Sequence, residues 1–234
     1  MLGIIGGMGP MASSLFYNML IEKTPADRDQ DHLDLVMLSH ASMPDRTAAI
    51  LSGDEAQINH VKELLRSDMN KLLSAGCSRI VITCNTAHFF VDMLEDEEKR
   101  HVIHMIRETA AAAKARPAHS KAAVLSTDGT AQTGIYQNAL EAEGIDVFTL
   151  SDCNQQKIMT MIYDYIKRGL PVPEAMWNEV QSEIVAAGCD LAVLGCTELS
   201  TAARQLGLDI SDKGFYLDPM DVLASKCISI FGKA

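Results

Sequence analysis

The sequence predicts an α/β fold of two similar lobes, each a mostly parallel four-stranded sheet flanked by helices. Two observations carry that expectation. Short apolar runs alternate with stretches of helical period, the pattern of a parallel sheet covered on both faces. One block of chain also recurs. Ala75-Gly76-Cys77, Val81 and Cys84 return 112 positions later as Ala187-Gly188-Cys189, Val193 and Cys196. The same offset lays residues 34–39 on 146–151, and an offset of 120 pairs Ile4-Ile5 with Val124-Leu125 and Gly9 with Gly129. A fixed spacing across separate segments reads as a duplicated unit, its two copies related by a pseudo-twofold axis with the active site between them.

The elements follow in order. Strands are expected at 2–6, 33–39, 80–84, 122–126, 146–150 and 191–195, with a weaker one at 102–104. Ile58, Val61, Leu65 and Leu72, joined by Leu64, Met69 and Leu73, make one helical stripe; Trp177, Val180, Ile184 and Val185 begin another. Asp218-Pro219 is a helix start, an N-cap acid before a first-turn proline. The alanine-rich stretch 110–115, followed by Arg116-Pro117, sets the boundary. The first lobe is then 1–113 plus 213–234 and the second 114–212. The segment from about Gly214 has no earlier counterpart and is expected to return to the first lobe.

Composition narrows the partners. Thirty-one acids against twenty bases give a net charge of −11, which repels a polyphosphate and argues against nucleic acid. No apolar run approaches the roughly 18 residues of a spanning helix, so no membrane partner is expected. The start of the chain lacks a basic n-region, and six cysteines show no CxxC pair. Both features point to cytosolic thiols and a cytoplasmic address.

In open parallel sheets, ligands bind beyond the carboxyl ends of the strands. Cys84 and Cys196 fall there, each before a helical stretch whose N-terminus favours a thiolate. The pseudo-twofold axis sets them face to face across the cleft. Cys77, Cys153, Cys189 and Cys227 read as ordinary structural cysteines. A hydrolase needs one nucleophile and a base; two opposed groups of equal rank suit removal of a proton from one face of a carbon and its return on the other.

Gly6-Gly7-Met8-Gly9-Pro10, Pro44-Asp45-Arg46-Thr47, Cys84-Asn85-Thr86-Ala87-His88, Gly195-Cys196-Thr197-Glu198 and Asp218-Pro219-Met220-Asp221 together resemble the aspartate/glutamate racemase family, in its aspartate racemase branch. The resemblance spans essentially the whole chain. It implies an enzyme without pyridoxal phosphate or any other cofactor or metal, a small acidic amino-acid substrate, and a homodimer. It gives Cys84 and Cys196 the acid/base positions, Cys196 acting on the L-enantiomer and Cys84 on the D-enantiomer. Arg46 and Lys167 match positions that grip substrate carboxylates. Asn85, Thr86 and Thr197 match positions that hold the α-carboxylate, with Thr127 at the symmetry-related strand end. Glu198 is placed to accept from the substrate ammonium. Met8 stands where glutamate racemases carry an acid and Glu198 where they carry a histidine, both of which favour aspartate. The intact cysteine pair argues against the neighbouring decarboxylases. A neutral ring, as in hydantoin racemases, would have little use for both Arg46 and Lys167.

Other readings stay open from the residues. Gly7-x-Gly9-x-x-Ala12 satisfies a dinucleotide fingerprint, though no ribose-binding acid follows the second strand. Cys84, His88 and Cys196 offer three zinc ligands without a zinc spacing. A related two-cysteine isomerase of another small carboxylate, or a silent small-ligand-binding protein, would keep the same cleft. Arg46 would serve equally as a turn residue paired with Asp45, Lys167 as a solvated complement to a helix end, and Asn85 and Thr197 as N-caps. His88 reads as structural, with a lesser role in modulating Cys84.

Overall fold

The structure, a computed structural model, describes residues 1–116, 120–211 and 213–233. Pro117 of the expected boundary and residue 212 lie outside these. Two parallel sheets form the frame. The first has the order β2-β1-β3, built from β1 (Leu2–Gly6), β2 (Leu35–Ser39) and β3 (Arg79–Ile82). The second, β5-β4-β6-β7, comprises β4 (Lys121–Val124), β5 (Asp146–Phe148), β6 (Leu191–Val193) and β7 (Tyr216–Leu217). Ile4 pairs with Val81 in one sheet and Val124 with Val193 in the other, the register the sequence repeat implies.

Helices cover both faces. In the first half they are α1 (Pro10–Lys23), α2 (Arg46–Ser52), α3 (Glu55–Ser74), α4 (His88–Asp92), α5 (Asp96–Lys99) and α6 (Met105–Ala115). The second half carries α7 (Asp128–Thr133), α8 (Ile135–Ala142), α9 (Asp152–Thr160), α10 (Glu174–Ala186), α11 (Thr197–Leu206) and α12 (Pro219–Phe231). After α9 the chain passes through a π-helical turn at Met161–Tyr165 and a 3₁₀ turn at Ile166–Arg168. No helix among the described residues is long and apolar enough to cross a membrane.

The repeat has a local cause at its glycines. α3 closes with Gly76 N–H on Leu73 C=O and Cys77 N–H on Leu72 C=O; α10 closes with Gly188 on Val185 and Cys189 on Ile184. Both glycines take positive φ, 89° and 73°, as this C-terminal cap requires. The chain therefore leaves each helix in the same direction and enters the next strand at the same residue. β1 alternates its faces, Leu2 and Ile4 towards α1 and α12, Ile5 towards α3. β4 does likewise, Ala122 towards α8 and Ala123 towards α10. Val185, expected in the buried stripe of α10, is exposed.

The first sheet has three strands, one fewer than expected. Residues 102–104 contribute a single bridge between Ile80 and Val102, because His104 immediately caps α6 and turns the chain away. The expectation missed β7, a two-residue strand beside β6. The helices that follow these two fourth-strand positions are exchanged between the lobes. α6 buries Ile106, Ala110 and Ala113 with Ala122, Leu191 and Val193 of the second sheet. α12 buries Met220, Leu223 and Ala224 with Leu2, Ile4 and Phe16 of the first. Of the segment from about Gly214, α12 packs with the first sheet and β7 joins the second, while α6 packs on the second sheet.

Leu223 is fully buried on α12, far along the chain from the strands it covers. A Leu223→Ala change is expected to cost about 2–5 kcal/mol in urea denaturation, against less than about 0.5 kcal/mol for Val185→Ala on the exposed side of α10. A cost below about 1 kcal/mol at Leu223 would show that α12 is not part of the first lobe's core.

Candidate active site

Cys84 follows β3 by two residues, and Cys196 stands at the N-cap of α11, just beyond β6. The two strand ends meet across the seam, where Thr197 Oγ1 donates to the carbonyl of Thr83 at 3.3 Å. Both cysteines line one small cavity, about 10 Å³ in volume, and Met8, Arg46, Asn85, Thr86, Thr127, Lys167, Thr197 and Glu198 line it with them. All ten residues singled out from the sequence are therefore brought together. Asp45, Thr47 and Tyr163 complete the wall.

The two thiols have unlike surroundings. Cys196 Sγ donates to Glu198 Oε2 at 3.1 Å. Burial, followed by the Glu198 carboxylate, pushes this thiol well above its usual pKa, so Cys196 is held protonated. Cys84 instead faces Arg46. Burial disfavours the Arg46 charge, but the nearby Cys84, Asp45 and Glu198 outweigh it and raise the guanidinium further. Arg46 is pinned by backbone carbonyls, Nη1 to Pro44 at 2.9 Å and Nη2 to Met8 at 3.4 Å, while its Nε has no partner among the described residues. Lys167 Nζ lies 3.3 Å from Glu198 Oε1 and 5.1 Å above the Tyr163 ring. Burial lowers its pKa, yet Glu198 and the two cysteines carry it above the ordinary value.

On the opposite wall, four hydroxyls converge. Thr86 contacts Thr127 at 3.2 Å and Thr130 at 2.8 Å, and Thr47 donates to Thr127 at 3.0 Å. α2 and α7 approach closely here: a Cβ on Gly129 would stand 2.8 Å from the Thr47 Cα, so only glycine fits. Asn85 Oδ1 accepts from the Tyr136 hydroxyl at 2.5 Å, and its buried Nδ2 has no partner among the described residues.

The family's sequence pattern, Asp/Glu/Hydantoin racemase, matches residues 5–227. The chain belongs to that family. It is 26% identical over 237 residues to the broad specificity amino-acid racemase RacX of Bacillus subtilis, covering 99% of this chain and 98% of that one. A Picrophilus torridus aspartate racemase superposes with a TM-score of 0.78 at 27% identity, over 98% of this chain and 93% of that one. An Asp/Glu racemase from Yersinia pestis described as putative has the same TM-score at 22% identity, a likeness of fold, over 98% and 97%.

The bland roles considered for the site residues of this racemase do not fit the structure. Asp45 accepts hydrogen bonds from the Ala48 N–H and the Tyr163 hydroxyl and acts on Arg46 through its charge. The Lys167 side chain is about three-quarters buried, though the residue as a whole is exposed. Asn85 and Thr197 cap nothing; Ala87 and Cys196 occupy those cap positions. The dinucleotide reading meets a charge conflict, since a Cβ at Gly9 would lie 3.1 Å from Glu198 Oε1, a carboxylate where a pyrophosphate would sit. Zinc would need a free His88 nitrogen, but Nδ1 bonds the Cys84 carbonyl at 2.9 Å and Nε2 accepts from Met105 N–H at 3.2 Å.

Sequence reasoning missed Thr47, Thr130, Tyr163 and Tyr136. Thr47 sits inside a quoted motif and Thr130 three residues after Thr127, a spacing that places both on one helical face. Tyr163 and Lys167 are four apart, but the π and 3₁₀ turns between them hide the relation. Nothing local marks Tyr136.

His88 is fully buried, and burial, with His104 beside it, lowers its pKa to about 3 from the usual 6.5. It therefore holds the Cys84 carbonyl as a neutral ring. Between pH 6.5 and 3 the unfolded chain binds a proton the folded one refuses, so this group alone makes stability fall with decreasing pH by up to ~1.4 kcal/mol per unit. Asp218 acts oppositely, because burial raises its carboxyl to about 6. A His88→Leu variant should lose the His88 component and keep the Asp218 one. Its stability should be the less acid-sensitive of the two across that window. Equal slopes in urea titrations of both proteins would mean that His88 charges in the folded state.

Proposed function

We propose that this racemase interconverts L- and D-aspartate by passing a proton between Cys84 and Cys196. The observation that carries this reading is the shared cavity: two thiols from equivalent strand ends, enclosed with two cations. Aspartate brings one ammonium and two carboxylates. The side-chain carboxylate suits Arg46 and Lys167, a guanidinium offering the fork that a carboxylate accepts. The α-carboxylate suits the hydroxyls of Thr86 and Thr127 and the unpartnered Asn85 Nδ2. Glu198 balances the substrate ammonium.

The proton inventory is one thiol and one thiolate. Cys84, beside the Arg46 charge, takes the Cα proton from one face as thiolate; the electron pair is delocalised into the α-carboxylate. Cys196, held protonated by Glu198, delivers its proton to the opposite face. The product leaves with configuration inverted and the two sulfurs with exchanged protonation, ready for the reverse reaction. No group is consumed, which is why a symmetric pair serves a reaction whose two ends are mirror images. Support for aspartate over glutamate comes from Met8 and Glu198, which stand where glutamate racemases carry an acid and a histidine.

Proton NMR in D2O tests this directly. With no cofactor added, the Cα–H signal of both aspartate enantiomers should disappear, faster than that of either glutamate enantiomer. Cys84→Ser and Cys196→Ser should each abolish racemisation; racemisation retained in either variant removes the two-thiol mechanism. Glu198→Gln supplies the pH test. A raised thiol pKa keeps the acid form to higher pH, and that form is lost as pH rises through it. Removing the carboxylate should therefore move the alkaline limb of kcat/KM to lower pH, and an unmoved limb would mean that Glu198 does not hold the proton on Cys196.

A further inference from the structure

The cavity at the thiols, about 10 Å³, has room for a single water molecule and not for an amino acid. Beside it lies a recess of about 380 Å³. Met8, Asp45, Arg46, Lys167 and Glu198 line both spaces and so form the wall between them. A substrate entering from the recess has to displace part of this wall to reach Cys84 and Cys196.

The five residues are not equally movable. Met8, Arg46 and Glu198 are each more than nine-tenths buried. Arg46 donates to the carbonyls of Met43, Pro44 and Met8, and Asp45 caps α2. Glu198 lies in the first turn of α11, where its Oε2 accepts from Cys196 and Thr197. Lys167 differs. It sits in the 3₁₀ turn between the π-helical turn and Gly169, which takes a positive φ of 73°. Such irregular helical segments often serve as hinges. The residue is exposed, and its ammonium rests 3.3 Å from Glu198 Oε1 and 5.1 Å above the Tyr163 ring. Side-chain contacts therefore hold this part of the wall, and the charged one is Glu198.

We propose that the Lys167–Glu198 ion pair is a latch between the recess and the thiol cavity, released when an entering amino acid exchanges partners with it; that the ligand is an amino acid rests on the racemase reading above. Parting the pair alone would leave a buried carboxylate without its cation, which is costly. A zwitterion carries both replacements. Its carboxylate takes the Lys167 ammonium, and its own ammonium takes Glu198 Oε1. No charge is left alone, and Glu198 Oε2 keeps Cys196 throughout. The two oxygens of one carboxylate thus have separate duties, one on the sulfur and one on the latch.

Alkylation by iodoacetamide, a neutral reagent, tests the latch without turnover. A thiolate displaces iodide to form a thioether, so the rate climbs with pH to a plateau where the thiol is fully ionised. The plateau reads access to the sulfur and the midpoint reads its pKa, cysteine by cysteine in peptide mass spectra. Glu198→Gln and Lys167→Met both break the pair, yet they push the Cys196 thiol in opposite directions, since Glu198 raises its pKa and Lys167 lowers it. A plateau that rises in both variants therefore reports access and not charge. At Cys84 and Cys196 it should rise about tenfold or more in each, with exposed Cys153 within about twofold and fully buried Cys227 unreactive. A rise in one variant only, in neither, or extending to Cys227 overturns the latch. A parent protein that exchanges no Cα proton of aspartate refutes the racemase reading separately, and the alkylation rates still decide the latch.

Discussion

The architecture depends on holding the carboxyl ends of two parallel sheets against each other. Each sheet alone would present its strand ends to water, with the cysteines on separate open edges. The exchange of α6 and α12 prevents this. α6 leaves the first sheet and buries its apolar face on the second, while α12 leaves the second and buries its face on the first. Neither lobe completes its core without the other's chain. The seam inherits that rigidity, and short polar contacts such as Thr197 to Thr83 and Tyr136 to Asn85 then set the distance between the strand ends.

Inside this seam the repeat is broken where chemistry needs it broken. Equivalent backbone places equivalent sulfurs, but the side chains around them differ, Glu198 standing two residues after Cys196 where Thr86 stands two residues after Cys84. Arg46 comes from α2 and approaches Cys84, whereas Glu198 comes from the first turn of α11 and holds Cys196. A helix N-terminus ordinarily favours a thiolate. At Cys196 burial, with the Glu198 carboxylate beside it, opposes that field and keeps the proton on sulfur. Two unlike thiols thus share one cavity without like charges meeting in it. The same carboxylate also faces Lys167, so one side chain links the sulfur to the cation.

Much of this was legible in the sequence. The glycine-terminated helices before Cys77 and Cys189 fixed the frame in which the later cysteines align, Cys84 and Cys196 followed from the strand ends, and the other eight site residues came from the resemblance to the racemase family. What was not legible has a common physical origin in packing between distant segments. β7 is two residues long and has no periodicity to read. Residues 102–104 have strand composition, yet the His104 cap allows only one bridge. The exchanged helices carry apolar faces that say nothing about which sheet they cover. Tyr136 enters the site only because α8 packs behind the opposite strand end.

The unlike environments of the two thiols have a bounded kinetic meaning. Enantiomers have equal free energy in water, so the equilibrium constant is one, and kcat/KM must be the same in both directions whatever the protein does. Holding Cys196 protonated and Cys84 beside a cation therefore cannot make this enzyme favour one enantiomer at equilibrium. What it can do is set which free-enzyme form dominates, and hence how kcat and KM are divided between the directions. In the mechanism proposed above, the enantiomer that presents its Cα proton to the sulfur acting as base meets an enzyme already correctly protonated. The other enantiomer must find the form left by a previous turnover or wait for proton exchange. The asymmetry built by Arg46 and Glu198 is thus a statement about saturation and product release, imposed on a chemical step that the duplicated fold keeps symmetric.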